Sequence, residues 1–198
     1  MVNPVSHTTS APLNNPVLTG AKYCLMVVLG VAVITASAKT TVPFWPIPMT
    51  LQTMAIMAIA VATGPRIAVA TMLAYLAVGA AGLPVFAGTP ERGIGIVYMM
   101  GPTGGYLAGY LIAAGFVGAL ARGRGAFGRF AVMMAGMVPV YLLGLAGLSG
   151  FVASEKVVAL GFTPFILGDT IKIALVALGS AAITRLTKHK PSNRADAA

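Results

Sequence analysis

Apolar residues run along this chain in long, nearly unbroken stretches rather than in the short alternating patterns of half-buried strands or surface helices. The stretch from Gly20 to about Ala38 carries one charged residue, Lys22. Comparable stretches follow at about 50–63, 66–81, 103–121, 130–148 and 164–187. They read as six membrane helices, since a full crossing needs about 20 predominantly apolar residues. The second and third are short for a crossing. Only Gly64-Pro65 and Arg66 separate them, so they are expected to form an antiparallel hairpin.

The connections alternate between short and long. TTVPFWPIPM, residues 40–49, has prolines at 43, 46 and 48. Proline cannot continue a helix and forces extended backbone before it, so this loop is expected to be stiff and to carry Phe44 and Trp45. Residues 82–100 are too rich in Gly and Pro for a regular span and too apolar for a free loop, so they are expected to lie against the protein at the membrane surface. Residues 149–163 are expected to form a third loop on the same side. Outside the six-helix domain, 20–187, residues 1–19 read as a disordered tail and 188–198 as a basic tail. Ala36-Ser37-Ala38 resembles a signal-peptidase site, but the proline-bearing tail before it lacks the charged start of a signal peptide. The first span is therefore expected to be retained.

Composition turns this pattern into a class. Hydrophobic residues make up 58% of the 198 positions and charged ones 9%, which excludes an ordinary soluble domain. Six spans use most of the length, which excludes a large extramembrane catalytic domain. Thirteen basic residues against four acidic ones give a formal charge of +9. In a soluble chain that would suggest nucleic acid, but here the cations flank apolar runs and set topology. If both termini are cytoplasmic, Lys22, Arg66, Arg122, Arg124, Arg129, Arg185, Lys188, Lys190 and Arg194 lie inside, and Lys39, Arg92 and Lys156 outside. That bias predicts a plasma-membrane protein with cytoplasmic termini and its three long loops outside.

The remaining cation, Lys172, falls within the sixth span one turn from Asp169. Counted from Pro164, the two lie about 8 and 12 Å along the helix, on one face. An ionisable group at depth costs about 2.5–3.5 kcal/mol on the insertion scale, so two of them point to a site. Either they pair with each other and lock the helix to a neighbour, or they hold a polar ligand that has N–H donors and an anionic group. GPTGGY, residues 101–106, opens the fourth span with Thr103 as its expected N-cap. Its helix start could hold an anion, or Gly101, Gly105, Gly109 and Ala113 could form a small-residue seam for another helix. It lacks the Lys and Ser/Thr of a phosphate-binding loop. Trp45, Phe44, Phe86, Tyr98 and Tyr106 fit either an interfacial aromatic belt or a ligand site. Gln52 is a buried amide in need of a partner. Ala32 and Ala36 fit internal packing or a docking face.

Enzyme chemistry finds no support. His7 and His189 lie in the tails, Cys24 is alone, and the chain has no HExxH or GxSxG motif. No metal or cofactor is expected.

PFWPIPMTLQT (43–53), the run from Ala62 to Gly88, MGPTGGYLAGY (100–110) and GDTIK (168–172) together resemble the BioY family. These are biotin-binding substrate-specificity (S) components of energy-coupling-factor (ECF) transporters. The resemblance implies six membrane helices in the S-component fold, with a biotin pocket near the outer face under the loops after helices 1, 3 and 5. It implies as partners a transmembrane coupling subunit and two ATPase subunits. Asp169 would take the ureido N–H groups and Lys172 the valerate carboxylate or another ligand oxygen. Tyr106 would line the pocket and Trp45 would cover the thiophane ring, and the buried amide of Gln52 is a further candidate ligand contact. Family members use a polar amide and an arginine near the third loop. VFAGTPERG has no Asn there, and Arg92 is its guanidinium. Ala32 and Ala36 match the AxxxA surface that docks the coupling subunit. A different class, a self-sufficient proton-coupled carrier, would instead make Asp169 the proton site.

Overall fold

The computed structural model describes residues 16–43 and 49–188. It is mostly helical, with α1 (Pro16–Lys39), α2 (Gln52–Thr63), α3 (Pro65–Ala80), α4 (Gly95–Met99), α5 (Gly104–Leu120), α6 (Ala126–Leu148), α7 (Ser154–Gly161) and α8 (Thr163–Lys188). Three segments are long and apolar enough to cross a membrane, Gly20–Lys39, Ala126–Leu148 and Ser154–Thr187. The helices α2, α3 and α5 are apolar but shorter. Large apolar side chains such as Leu25, Val28, Leu142 and Leu175 point outward, as a hydrocarbon surround allows and water does not.

The expected spans are all present as helices, with shifted ends. The first begins at Pro16, inside the stretch expected to be tail, because proline is tolerated in a first turn where its missing N–H has no intrahelical partner. The fifth begins at Ala126, four residues before the expected Phe130. The loop expected at 149–163 contains α7, whose Val157 turns into the protein and supplies the burial that orders it. Where the stiff loop is expected, the described residues Thr41–Val42 (β1) and Met49–Thr50 (β2) form a two-residue antiparallel ladder with Val42 opposite Met49. Phe44 and Trp45 lie outside the described residues, as do Lys190, Arg194 and both histidines.

Close packing centres on α5 and α6. A Cβ on Gly105 would collide with the Leu143 carbonyl, and one on Gly109 with the Val140 backbone. The small-residue seam expected from the sequence is thus a helix–helix contact, which bare glycine surfaces permit. Thr103 precedes α5 but makes no side-chain capping bond, contrary to expectation; its own αR conformation is helical rather than the extended one typical of a cap.

At the end of the bundle where α1 finishes, the segment between α3 and α5 is pinned rather than free. Phe86 is fully buried, edge-on to Tyr75 and stacked on Tyr98 at 4.9 Å. Lys39 Nζ donates to Thr89 O at 2.5 Å and Thr89 Oγ1 at 2.7 Å, and Tyr98 donates to Ala87 O. An outer cation expected only to set topology therefore clamps a loop. Arg129 departs similarly. Expected on the cytoplasmic surface, it is 8% exposed and donates to Thr184 Oγ1 at 3.1 Å. Its long stem reaches inward between α6 and α8, as apolar stems of charged residues do.

Candidate functional site

Asp169 and Lys172 lie in the first half of α8, both buried. Three residues apart on one helix, they meet as an ion pair, with Nζ 3.0 Å from Asp169 Oδ1. The pair is therefore internal to α8 and does not itself lock that helix to a neighbour. The tie between helices comes from Tyr141 of α6, whose hydroxyl donates to Asp169 Oδ2 at 2.8 Å. Among the described residues each carboxylate oxygen has one protein donor, which leaves a lone pair to accept another.

Lys172 is less well served. Beyond Asp169, its ammonium faces the sulfur of Met49 at 3.9 Å. A thioether is a weak acceptor, and an ammonium carries three donors, so the buried cation has hydrogen-bonding capacity in excess of its partners among the described residues. Met49 comes from β2 and is buried against α8. It can do so because residue 168 is glycine, where any Cβ would strike the methionine Cε and sulfur. The first long loop thus ends in a side chain laid over the ion pair.

Hydroxyl groups line the neighbouring elements. Tyr110 of α5 bonds Thr53 of α2 at 2.7 Å, beside the Tyr141 hydroxyl's own bond to Asp169 from α6. Tyr106, one turn before Tyr110, donates to Gly161 O at 2.7 Å and so joins α5 to the end of α7. Phe162 sits edge-on to Tyr141, with centroids 4.8 Å apart. Gln52 finds its partner in Tyr75 at 3.4 Å, and Tyr75 donates onward to Val85 O at 3.1 Å, which links α2 to the pinned loop. Arg92 is exposed, with its stem beside Gly88. Ala32 and Ala36 are both exposed, while Ile34 and Ala38 are buried, so the alanine pair faces away from the bundle.

Tyr141, Tyr110, Thr53 and Met49 were not singled out in the sequence. Tyr106 and Tyr110, four apart, share a face in MGPTGGYLAGY, and that spacing was a usable signal. Nothing distinguishes Tyr141 or Met49 from other residues of apolar stretches. Among the described residues, no group of three or more His, Cys, Asp or Glu side chains could hold a metal.

Apolar helices packed around a buried ion pair, with the Tyr141 hydroxyl bonded to it and long connections at the same end, define a multi-pass integral membrane protein with a polar interior focus. The chain belongs to the BioY family, whose model matches residues 8–189. It is 35% identical to the probable biotin transporter BioY of Pyrococcus horikoshii over 158 residues, 80% of this chain and 93% of that one. Similarity to the biotin transporter BioY of Thermotoga maritima is 34% over 157 residues, 78% and 91% of the two chains. The fold matches the crystal structure of the S component for biotin from an ECF-type ABC transporter with a TM-score of 0.68. That match has 24% identity and covers 89% of this chain and 95% of the other. Family membership makes the protein a transport component and not an enzyme.

Proposed function

We propose that this protein captures biotin at the extracytoplasmic face of the plasma membrane as the S component of an ECF-type transporter. The observation that carries the site assignment is the buried Asp169–Lys172 pair, whose cation, among the described residues, has only a thioether beyond its carboxylate partner. A buried ammonium with spare donors suits a ligand oxygen, and displacement of Met49 would give it one. The free lone pairs of Asp169 suit the two N–H groups of a ureido ring. Tyr106 and Gln52 contribute as wall residues held by Gly161 and Tyr75. Arg92, exposed on the pinned loop, approaches ligand only if that loop moves. Trp45 lies outside the described residues and is retained as the cover over the thiophane ring.

The six longer helices, α1, α2, α3, α5, α6 and α8, form the membrane domain, 20–187, with both termini cytoplasmic. Alternate helices then run in opposite directions, and the basic flanks fall inside. The exposed face carrying Ala32 and Ala36 docks a transmembrane coupling subunit, and two ATPase subunits supply the energy. Small side chains on an outward helix face permit the close approach such docking needs.

Labelled-biotin binding to purified protein in detergent tests the site. Asp169→Asn and Lys172→Ala each remove a charge-assisted contact of about 1.5–3 kcal/mol, so affinity should fall at least roughly tenfold. Wild-type affinity in both variants would remove these residues from the site. Loss of uptake, but not of binding, when Ala32 is replaced by Trp would support the docking face.

A further inference from the structure

At the opposite end of the bundle from Asp169, the start of α1, the α2–α3 turn and the end of α5 enclose a pocket of about 200 Å3. Two exposed arginines, Arg66 and Arg122, line it together with Tyr23. Arg122 is positioned there by a 2.9 Å bond to Thr63 O. Its guanidinium lies directly over Gly64, where any Cβ would collide with it. Gly64 adopts φ of 81°, so glycine serves the turn and makes room for the arginine at once.

A second, apolar groove of about 300 Å3 runs between α1 and α3 and is walled by Cys24, Val27, Val28 and Ala70. Tyr23, Arg66 and Ile67 line both, so the charged pocket and the apolar groove form one continuous feature. Its polar end lies at the level of the helix ends, and its apolar part extends along the sides of two membrane helices.

Charge decides what fits. The acidic residues among those described are Glu91, Glu155 and Asp169, and all three belong to the other half of the bundle. Among the described residues the ion pair is Asp169 with Lys172, so no described carboxylate neutralises Arg66 or Arg122. Two cations lining one pocket give it a positive potential that favours an anion. Guanidinium forks match phosphate oxygens in particular. An apolar groove leading from such a site along membrane helices suits a hydrocarbon chain.

We infer that this feature binds one anionic glycerophospholipid, with its phosphate between Arg66 and Arg122 and an acyl chain in the α1–α3 groove. The site adjoins the proposed docking face. At about 100° per residue, Tyr23 and Val27 turn away from Ala32 and Ala36, but Val28, a wall of the groove, lies one turn before Ala32 on the same side of α1.

Native mass spectrometry of the full chain in mild detergent, with phosphatidylglycerol or phosphatidylcholine added, tests the inference. One phosphatidylglycerol should be retained in preference to phosphatidylcholine. Loss of two charge-assisted contacts in R66Q/R122Q should reduce that adduct at least roughly tenfold. R124Q/R185Q, which removes as much charge elsewhere at the same end, should keep it. Ala70→Phe should reduce the adduct by filling the groove while both arginines remain. Thermal unfolding serves as the fold check, so the result does not depend on biotin binding. Equal retention of the two lipids, an undiminished adduct in R66Q/R122Q, or displacement by inorganic phosphate alone would each overturn it. So would loss of a copurifying membrane subunit from R66Q/R122Q with phosphatidylglycerol retention unchanged.

Discussion

Two donors converge on Asp169 from different directions, Lys172 from its own helix and Tyr141 from α6. Their effects on substitution should differ. Removing Lys172 strands a buried carboxylate, which costs about 3–5 kcal/mol and lowers stability together with binding. Removing only the Tyr141 hydroxyl leaves the ion pair intact and keeps the ring against Phe162. Tyr141→Phe should therefore unfold within a few degrees of wild type yet bind biotin about tenfold more weakly, as expected for losing one hydrogen bond to a charged group. Thermal unfolding and labelled-biotin titration on the same preparation separate the two quantities. Unchanged affinity in Tyr141→Phe would reduce this residue to a helix-to-helix tie. The contrast also explains what could be read from the sequence. A charge in an apolar stretch is conspicuous, so the sequence alone draws attention to Asp169 and Lys172, which the fold buries as a pair. A tyrosine there carries nothing in its sequence context to reveal which side chain its hydroxyl meets.

Among the elements, α5 and α6 set the geometry on which the proposed site depends, because Tyr106 and Tyr110 come from one and Tyr141 from the other. Their contact is made through backbone. At Gly109 an added side chain would meet the Val140 main chain and the Pro139 carbonyl, neither of which can move aside by changing rotamer. Gly109→Val should force the helices apart at a cost of about 1–3 kcal/mol and lower the midpoint of thermal unfolding in detergent. Biotin affinity should fall with it, since the hydroxyls on the two helices would lose register. A variant as stable as wild type would show that the seam gives way easily. The glycine spacing made this seam legible, but its partner helix was not, because spacing identifies a flat face without saying what packs on it. The α7 turn escaped the sequence reading for a related reason. Its eight residues order by burying Val157 against the protein, a tertiary effect absent from local pattern.

For the whole molecule, uneven charge and uneven loop length coincide. The long connections, the ion pair and all described acids occupy one end. The other end gathers Lys22, Arg66, Arg122, Arg124, Arg129 and Arg185. This division was legible in the sequence because topology depends on counting cations beside apolar stretches, and that count survives errors of several residues in helix ends. What the count could not foresee is that individual cations also do structural work, as Lys39 does for Thr89 and Arg129 for Thr184. Orientation can be tested directly with two exposed positions at opposite ends, Met100 at 74% and Phe127 at 84% exposure. In a Cys24→Ser background, a membrane-impermeant maleimide should label M100C in intact cells and F127C only after permeabilisation. The reverse pattern would place the ion pair and its loops on the cytoplasmic side, where capture of external biotin could not begin.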